Sequence, residues 1–393
     1  MFNVSITNIR INVIFSTMNS INKKIKIEEV LEEKLIKRKE LGGYRTLKLI
    51  DSQQIDFSSN DYLGLAQVAE IHNLSNQYID NGAAGSRLLS GNKFYHENIE
   101  EYIAGFFNSQ SALLYNSGYM ANLGVLSSVP QKGDTVLMDE LSHICIKEGV
   151  RLSRAGYFNF KHNDLKDLER KLAKAEGNIF IVVESIYSMD GDEAPLVDLV
   201  EIAGKYAAAL IVDEAHSTGL HGDFGDGLCC ALGIEEEIFA RIYTFGKAVG
   251  AHGAAVCGSS ILKEYLINYS RQFIYTTALP HQSVVTIENA LEYRKQRPDL
   301  WSKLKSNIDL YRKELDPGIP KLNSDHPIQG VVVENSKSAV DFANYLIHEG
   351  FDIRPILSPT VAKGKERVRI CIHAFNSEEE IANLCYHINQ YFK

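Results

Sequence analysis

Short apolar runs alternate with amphipathic stretches along much of the chain. Each run has three to five residues, as expected for strands of a buried sheet. We predict strands at 112–115, 135–138, 179–183, 210–212 and 242–244. Between the third and fourth strands, an apolar stripe with helical spacing begins after Pro195, a residue suited to a first helical turn. The stripe consists of Leu196, Leu199, Val200 and Ala203.

This succession of strand, helix and strand predicts an α/β fold with a mostly parallel sheet and helices on its faces. In such sheets, ligands bind beyond the carboxyl ends of the strands. Glu184, Asp213 and Thr244 stand at the ends of three predicted strands, and Lys247 follows closely after the last of them. We therefore expect these four side chains to converge on one crevice.

The pattern changes after residue 280. It predicts a helix at 284–294, a strand at 331–333, a helix at 339–347, a strand at 368–372 and a closing helix from residue 378. That mixture indicates a smaller α+β domain at the C-terminal end.

Near the other end of the chain, charged and apolar residues follow helical spacing over 27–41, and two glycines then stop the helix. We divide the chain into three parts: an N-terminal extension and helical arm (1–55), a large ligand-binding domain (56–285) and a small α+β domain (286–393). Residues 1–17 precede a second methionine, Met18, and are either an extension of uncertain start or an ordinary N-terminal arm.

Composition narrows the functional classes. The chain has 393 residues, 45% of them hydrophobic, which is enough for one large domain and a smaller one. A formal net charge of −9 argues against nucleic-acid binding driven by bulk electrostatics and favours small-molecule chemistry. No stretch has the length of a membrane span, and no secretory signal is recognisable. Six cysteines without metal-ligand spacing are typical of a cytoplasmic protein that binds no metal.

Lys247 is the first candidate for chemistry. An isolated lysine is most often a solvated surface charge, but this one stands just past a strand, near Thr244, Gly246 and Gly250. A small-residue turn at a strand end is a suitable place for an amine that reacts with a ligand. The sequence therefore favours a catalytic lysine.

Asp213 and His216 stand at the end of the preceding strand. An aspartate in that position is commonly a helix cap. With His216 one turn along and Lys247 beyond the next strand, a partner for a protonated pyridine nitrogen becomes the better interpretation. Lysine, carboxylate and imidazole together suggest a site for pyridoxal 5′-phosphate (PLP).

Two further features fit a PLP site, although each is weak alone. Gly118 and Tyr119 follow a strand and open a helix, where backbone N–H groups and the helix dipole favour a phosphate. By itself this is an ordinary glycine turn. His143 is either a hydrogen-bonded buried histidine or, in a PLP site, the ring that stacks on the pyridine face.

Six motifs in order resemble the α-oxoamine synthase family, PLP enzymes with the aspartate aminotransferase fold (fold type I). The resemblance covers about residue 56 to the C-terminal end. It lies in the segments 58–65, 85–91, 116–119, 184–192, 212–216 and 244–247. It implies a large, mostly parallel sheet domain, a smaller C-terminal domain and a homodimer whose active sites lie at the interface.

The resemblance implies roles for individual residues. Lys247 bonds the cofactor aldehyde and takes the Cα proton of the substrate, Asp213 meets the pyridine nitrogen, His143 stacks on the ring, and His216 lies near the phenolic oxygen. Further cofactor contacts are implied for Ser188, Thr244, Gly118, Tyr119, and Thr276 or Thr277, the last pair reaching the phosphate of a partner subunit.

Substrate contacts are implied as well. Arg369 is expected to hold an amino-acid carboxylate by a bidentate pair, unless it is only a surface arginine on an edge strand. Asn60, Arg354, Thr360 and Arg45 are the other expected substrate contacts.

The family reaction is a decarboxylating condensation of an amino acid with an acyl-CoA or an acyl-carrier protein. Three segments (85–92, 188–196 and 353–361) favour alanine and a pimeloyl thioester, as in biotin synthesis. The alternatives are glycine with acetyl-CoA, serine with a long acyl thioester, an aminotransferase on the same fold, or a non-catalytic partner subunit.

Overall fold

A computed structural model describes residues 26–40, 43–47, 49, 51, 53–75 and 81–393. The predicted extension at 1–17 lies outside them, as does the end of the predicted helix at residue 41. Residues 26–40 do form a helix, α1. None of the described helices combines the length and apolarity needed to cross a lipid bilayer.

Twelve strands are found in the described part of the chain. They are β1 (Ile55–Asp56), β2 (Ser111–Tyr115), β3 (Thr135–Asp139), β4 (Gly156–Phe160), β5 (Ile179–Glu184), β6 (Ala209–Asp213), β7 (Ala240–Thr244), β8 (Ala254–Gly258), β9 (Ile328–Val332), β10 (Phe351–Asp352), β11 (Arg354–Ile356) and β12 (Arg367–Cys371).

Helices cover the strands. After α1 come α2 (Ala69–Ser75), α3 (Phe94–Phe106), α4 (Gly118–Ser128), α5 (Ile144–Ser153), α6 (Leu165–Leu172), α7 (Leu196–Lys205), α8 (Leu228–Ala231), α9 (Ser260–Tyr269), α10 (Arg271–Ile274), α11 (His281–Gln296), α12 (Pro298–Glu314), α13 (Ser336–His348) and α14 (Glu378–Tyr391). Two short 3-10 helices lie at Leu65–Gln67 and Glu235–Glu237.

Seven strands form the large sheet, in the order β2-β8-β7-β6-β5-β3-β4. All pairs are parallel except those of β8, which runs antiparallel to both β2 and β7. The side chains of β3 are entirely buried and those of β5 and β6 almost so, because helices cover both faces. The predicted α/β class with a mostly parallel sheet is confirmed, and α7 is the crossover helix expected between β5 and β6.

A second sheet, of three antiparallel strands in the order β11-β12-β9, lies in the C-terminal part. α13 packs against β11 and β12, and α14 packs against α12 and α13. The two-residue strand β1 pairs with β10 and so ties the N-terminal end of the described body to this region. The strand order matters for the site, because β12 is the central strand and carries Arg369.

Candidate active site

The carboxyl ends of β5, β6 and β7 meet at one edge of the large sheet. Glu184 ends β5 directly beside Asp213, which ends β6, and Thr244 ends β7. Lys247 lies in the turn that follows β7, within electrostatic reach of both carboxylates. The structure therefore brings together the four side chains that the sequence predicted to converge.

A chain of hydrogen-bonded side chains runs from Lys247 to Arg369. Lys247 Nζ lies 2.8 Å from His216 Nε2, and His216 Nδ1 lies 2.9 Å from the Tyr62 hydroxyl. Arg369 Nη2 donates to Asn60 Oδ1 at 3.0 Å and to the Tyr62 hydroxyl at 3.4 Å. Burial and the charge of Lys247 hold the pKa of His216 well below its usual range, so His216 is neutral at pH 7.

Asp213 is buried but well supported. Its Oδ2 accepts from Asn122 Nδ2 at 2.8 Å, and its Oδ1 accepts from the backbone N–H of Ala215 at 2.9 Å. The second contact resembles a cap, yet no helix begins there. Burial and the neighbouring Asp213 charge raise the pKa of Glu184 to about 8. Glu184 is therefore largely protonated at neutral pH.

Burial also lowers the pKa of the Lys247 amine, while the nearby carboxyl groups, that of Asp213 foremost, oppose that shift. A lowered pKa increases the fraction of neutral amine near pH 7, and the neutral form is the nucleophile and the base.

The start of α4 forms an anion cradle. The Ser117 hydroxyl caps the helix by accepting from the Met120 N–H at 3.3 Å. The N–H groups of Gly118 and Tyr119 have no partner among the described residues. The Thr244 hydroxyl beside them is buried and lacks a partner in the same part of the chain. A Cβ at position 118 would lie 2.2 Å from that hydroxyl oxygen, so a side chain there would displace the Thr244 hydroxyl.

His143 caps α5 and presents an exposed ring. The backbone N–H of His143 donates to Glu184 Oε1 at 2.6 Å, which anchors His143 to the end of β5. The Cys145 N–H points at His143 Nδ1 from 3.3 Å, and a backbone N–H can only donate. Neutral His143 therefore carries its proton on Nε2, as a donor.

Arg369 is buried on the central strand β12, so the alternative of a surface arginine on an edge strand is wrong. Its Nε donates to the Ser188 carbonyl at 3.2 Å. Arg354 stands opposite Arg369 in the antiparallel pair of β11 and β12, and opposite residues share a face of the sheet. Arg354 itself pairs with Asp352.

Other predicted residues stand apart from this network. Arg45 and Thr360 are exposed, and neither side chain contacts the network within the described residues. Thr276 and Thr277 both contact the Asn116 side chain, next to the cradle. The Tyr119 hydroxyl donates to Glu148.

The sequence pattern placed Glu184 in the crevice without a chemical role, and it assigned no role to Tyr62 or Asn122. Tyr62 lies within the 58–65 motif, and its contact with His216 depends on residues 154 positions apart. Asn122 had a local signal, since it follows Gly118 by one helical turn and so faces the same side of α4.

The donor set fits PLP. The cradle supplies two N–H groups and a hydroxyl for a phosphate, the supported Asp213 supplies an anion for a pyridinium, and Lys247 supplies the amine. Within the described residues, no group of three or more histidine, cysteine or acidic side chains is arranged to hold a metal ion.

Comparison with known proteins gives consistent matches. A model of the family described as aminotransferase class I and II matches residues 52–388. An 8-amino-7-oxononanoate synthase from Emericella nidulans is 39% identical over 387 residues, covering 91% of this chain and 94% of that protein. Further curated relatives with the same name are 34% to 37% identical.

Solved structures of two related enzymes have a similar fold. The 8-amino-7-oxononanoate synthase of Francisella tularensis is similar with a TM-score of 0.75 at 28% identity, covering 87% of this chain and 98% of that one. A serine palmitoyltransferase from S. paucimobilis with a bound PLP–myriocin aldimine has a TM-score of 0.85 at 26% identity, covering 93% and 97%.

Proposed function

Because the chain belongs to the class I and II aminotransferase family, we propose that it is a PLP enzyme that condenses L-alanine with a pimeloyl thioester. The products are 8-amino-7-oxononanoate, the free thiol of CoA or a carrier protein, and carbon dioxide, a step of biotin synthesis. The observation that carries the proposal is the line of contacts from Lys247 through His216 and Tyr62 to Arg369.

That line of contacts suits an amino-acid substrate. Arg369 offers a buried guanidinium for the carboxylate, at the opposite end of the line from the Lys247 amine. When bound, the cofactor supplies an electron sink that makes the Cα–H of an amino acid acidic. Lys247 takes that proton, because burial lowers its pKa toward the range in which an amine acts as a base.

The remaining residues would hold the cofactor and polarise the thioester carbonyl. Asp213, held by Asn122, would supply a negative charge for the pyridine nitrogen and so favour its protonated form. The Nε2–H of His143 is a donor for the thioester carbonyl and disperses the charge that develops on its oxygen. The start of α4 binds the phosphate through its free N–H groups.

The names of the sequence relatives support alanine and a pimeloyl thioester, whereas the serine palmitoyltransferase similarity keeps serine with a long acyl thioester as the second candidate. Arg354 lies on the same face of the small sheet as Arg369. We assign Arg354 to the pimeloyl carboxylate. Asn60 accepts from Arg369, and we assign it to orienting the Arg369 guanidinium. Thr360 and Arg45 stay predictions as substrate contacts.

A substrate panel tests the proposal. PLP-loaded protein is incubated with alanine, glycine or serine, each with pimeloyl-, acetyl- or palmitoyl-CoA, and released thiol and carbon dioxide are measured. We expect both products with alanine and pimeloyl-CoA. Release only with glycine and acetyl-CoA, or only with serine and palmitoyl-CoA, would replace the proposed substrates. Conversion of the cofactor to its pyridoxamine form by alanine alone would indicate an aminotransferase.

We also propose a homodimer in the cytoplasm. Helix α1 exposes five apolar side chains, Ile27, Val30, Leu31, Leu35 and Ile36, each at least 47% accessible. Four of them, Ile27, Val30, Leu31 and Leu35, follow helical spacing and form a stripe on one face, which favours burial against another copy. Thr276 and Thr277 lie beside the cradle of their own chain, and a contact of either with the phosphate of the partner subunit stays a prediction. The cysteines are all unpaired thiols, which suits a reducing compartment.

A further inference from the structure

His162 lies between the two loops that carry His143 and Ser188. It follows β4, and its ring Nδ1 lies 3.1 Å from Oδ1 of Asp139 at the end of β3. Its Nε2 lies 2.7 Å from Oδ2 of Asp192, in the loop between β5 and α7. Both ring nitrogens therefore face a carboxylate.

This arrangement fixes the protonation state. Ionised carboxylate oxygens only accept hydrogen bonds, and a neutral imidazole has a single N–H. Both contacts are hydrogen bonds only if the ring carries two protons. Partial burial opposes that charge, but the two carboxylates outweigh it and raise the pKa of His162 to about 10. Within the described residues, His162 is the cationic partner that Asp139 and Asp192 share.

The contacts of His162 with Asp139 and Asp192 form a bridge, the His162 bridge. On one side, this bridge holds the segment that leads to His143. Asp139 is fully buried, its Oδ1 accepts from the Leu141 N–H at 2.8 Å, and its carbonyl accepts from the Ser142 N–H at 3.1 Å. The next residue is His143, which Glu184 anchors from the other direction. The direction of the Asp139 carboxylate thus sets the path of the turn.

On the other side, the bridge holds the loop of Ser188. The Asp192 carbonyl accepts from the Tyr187 N–H at 3.0 Å, and the Tyr187 carbonyl accepts from the Gly191 N–H at 2.8 Å. The Tyr187 ring also packs edge-on against the His162 ring, with centroids 4.5 Å apart. Ser188, inside this closed loop, accepts from Arg369 through its carbonyl.

We propose that His162 is a positioning residue which, as an imidazolium shared by Asp139 and Asp192, fixes the His143 loop relative to the loop that supports Arg369. Its role in turnover rests on the proposed function; the bridge itself does not. Asn163 also contacts both carboxylates: its backbone N–H donates to Asp139, and its side-chain amide donates to Asp192. Both donors are neutral, so they leave the charges of the two carboxylates uncompensated.

The bridge is tested without substrates. In ¹⁵N-labelled PLP-loaded enzyme at pH 7.5, both ring nitrogens of His162 should appear protonated, and Asp192→Asn should make the ring titrate at lower pH. Hydrogen exchange at residues 139–143 and 187–193 should rise in His162→Gln. A neutral ring in the wild type, or unchanged exchange in both loops, would overturn the proposal.

Measurements of kcat distinguish a positioning role of His162 from a purely stabilising one. We expect His162→Gln and Asp192→Asn to lower kcat about ten- to a hundredfold and to change the visible circular dichroism of the cofactor. The double variant should lose little more than either single one, because both remove the same bridge. Arg170→Gln is the matched control, since it removes an exposed cation from α6.

If the variants lose only thermal stability and match Arg170→Gln in kcat and in the cofactor spectrum, His162 is structural and the proposal fails. Asp192→Asn covers the case in which His162→Gln does not fold. If the wild type turns over none of the substrate pairs, the proposed function fails, while the ring protonation and the exchange data still decide the bridge.

Discussion

Gly118 and Thr244 are far apart in sequence, yet they lie so close in space that a Cβ at position 118 would overlap the Thr244 hydroxyl. Asp213 likewise depends on its neighbours: Asn122 donates to its carboxylate, and the adjacent Glu184 has a raised pKa. At the residue scale, the site consists of common side chains whose properties are set by their neighbours.

Lys247→Ala should lower turnover by about 10³-fold or more, because the base that takes the Cα proton is removed. The cradle and Asp213 remain, so PLP should still bind, without a covalent link. Borohydride reduction followed by mass spectrometry should place the cofactor mass on Lys247 in the wild type and nowhere in the variant. Lys205→Ala, at an exposed lysine, is the control. Normal turnover in Lys247→Ala would refute its catalytic role.

Gly118→Ala should weaken PLP binding and lower the melting temperature, because the new Cβ meets the Thr244 hydroxyl at 2.2 Å. Overpacking of this kind costs about 1–3 kcal/mol. In Gly118→Ala/Thr244→Ala the hydroxyl is gone, so the melting temperature should recover while PLP affinity, measured by titration, stays low. Gly204→Ala controls for the substitution itself, because Gly204 is a helical glycine whose added Cβ would meet no atom within 4 Å.

At the scale of elements, direction and pairing were harder to predict than position. α7 begins at Leu196 and α14 at Glu378, both as predicted. The elements that were not predicted include β4, β8 and α12. β8 is a run of small residues between two other strands, and apolar pattern alone does not encode whether such a strand runs parallel or antiparallel to its neighbours. α12 follows α11 after a single residue, Arg297, so no long polar break marks it.

The His162 bridge between β3, β4 and the β5–α7 loop makes stability depend on pH. The pKa of His162 rises from 6.5 to about 10 on folding, so its contribution is complete below pH 6.5 and is lost as pH rises toward 10. The facing groups are Asp139, Asp192, the Tyr187 ring and Glu140, which accepts from the backbone N–H of His162. Melting temperature should fall more steeply over this range in the wild type than in His162→Gln; parallel curves would contradict the prediction.

At the scale of the molecule, the division into domains and the homodimer are predictions. The predicted boundary at residue 285 falls inside α11, and the division into domains stays a prediction. The exposed apolar stripe of α1 has no partner surface within the described part of one chain.

Leu31→Glu/Leu35→Glu should shift the protein from dimer to monomer, because two charges would be buried in the proposed interface. Light scattering after size-exclusion chromatography measures the mass directly. Glu29→Lys/Glu33→Lys changes two exposed charges with the same spacing on the side of α1 that faces away from Leu31 and Leu35, and is the control. A wild-type monomer, or a double variant that stays dimeric, would remove α1 from the interface.

The sequence by itself determined the fold class, most strand positions, and the group of Glu184, Asp213, Thr244 and Lys247, because parallel strands bring their carboxyl ends to one edge. Only the tertiary structure decided that Tyr62 and Arg369 complete the line of contacts to Lys247, and that His162 joins two loops. Those contacts connect residues up to 307 positions apart, and no local pattern of apolar and polar residues specifies such a pairing.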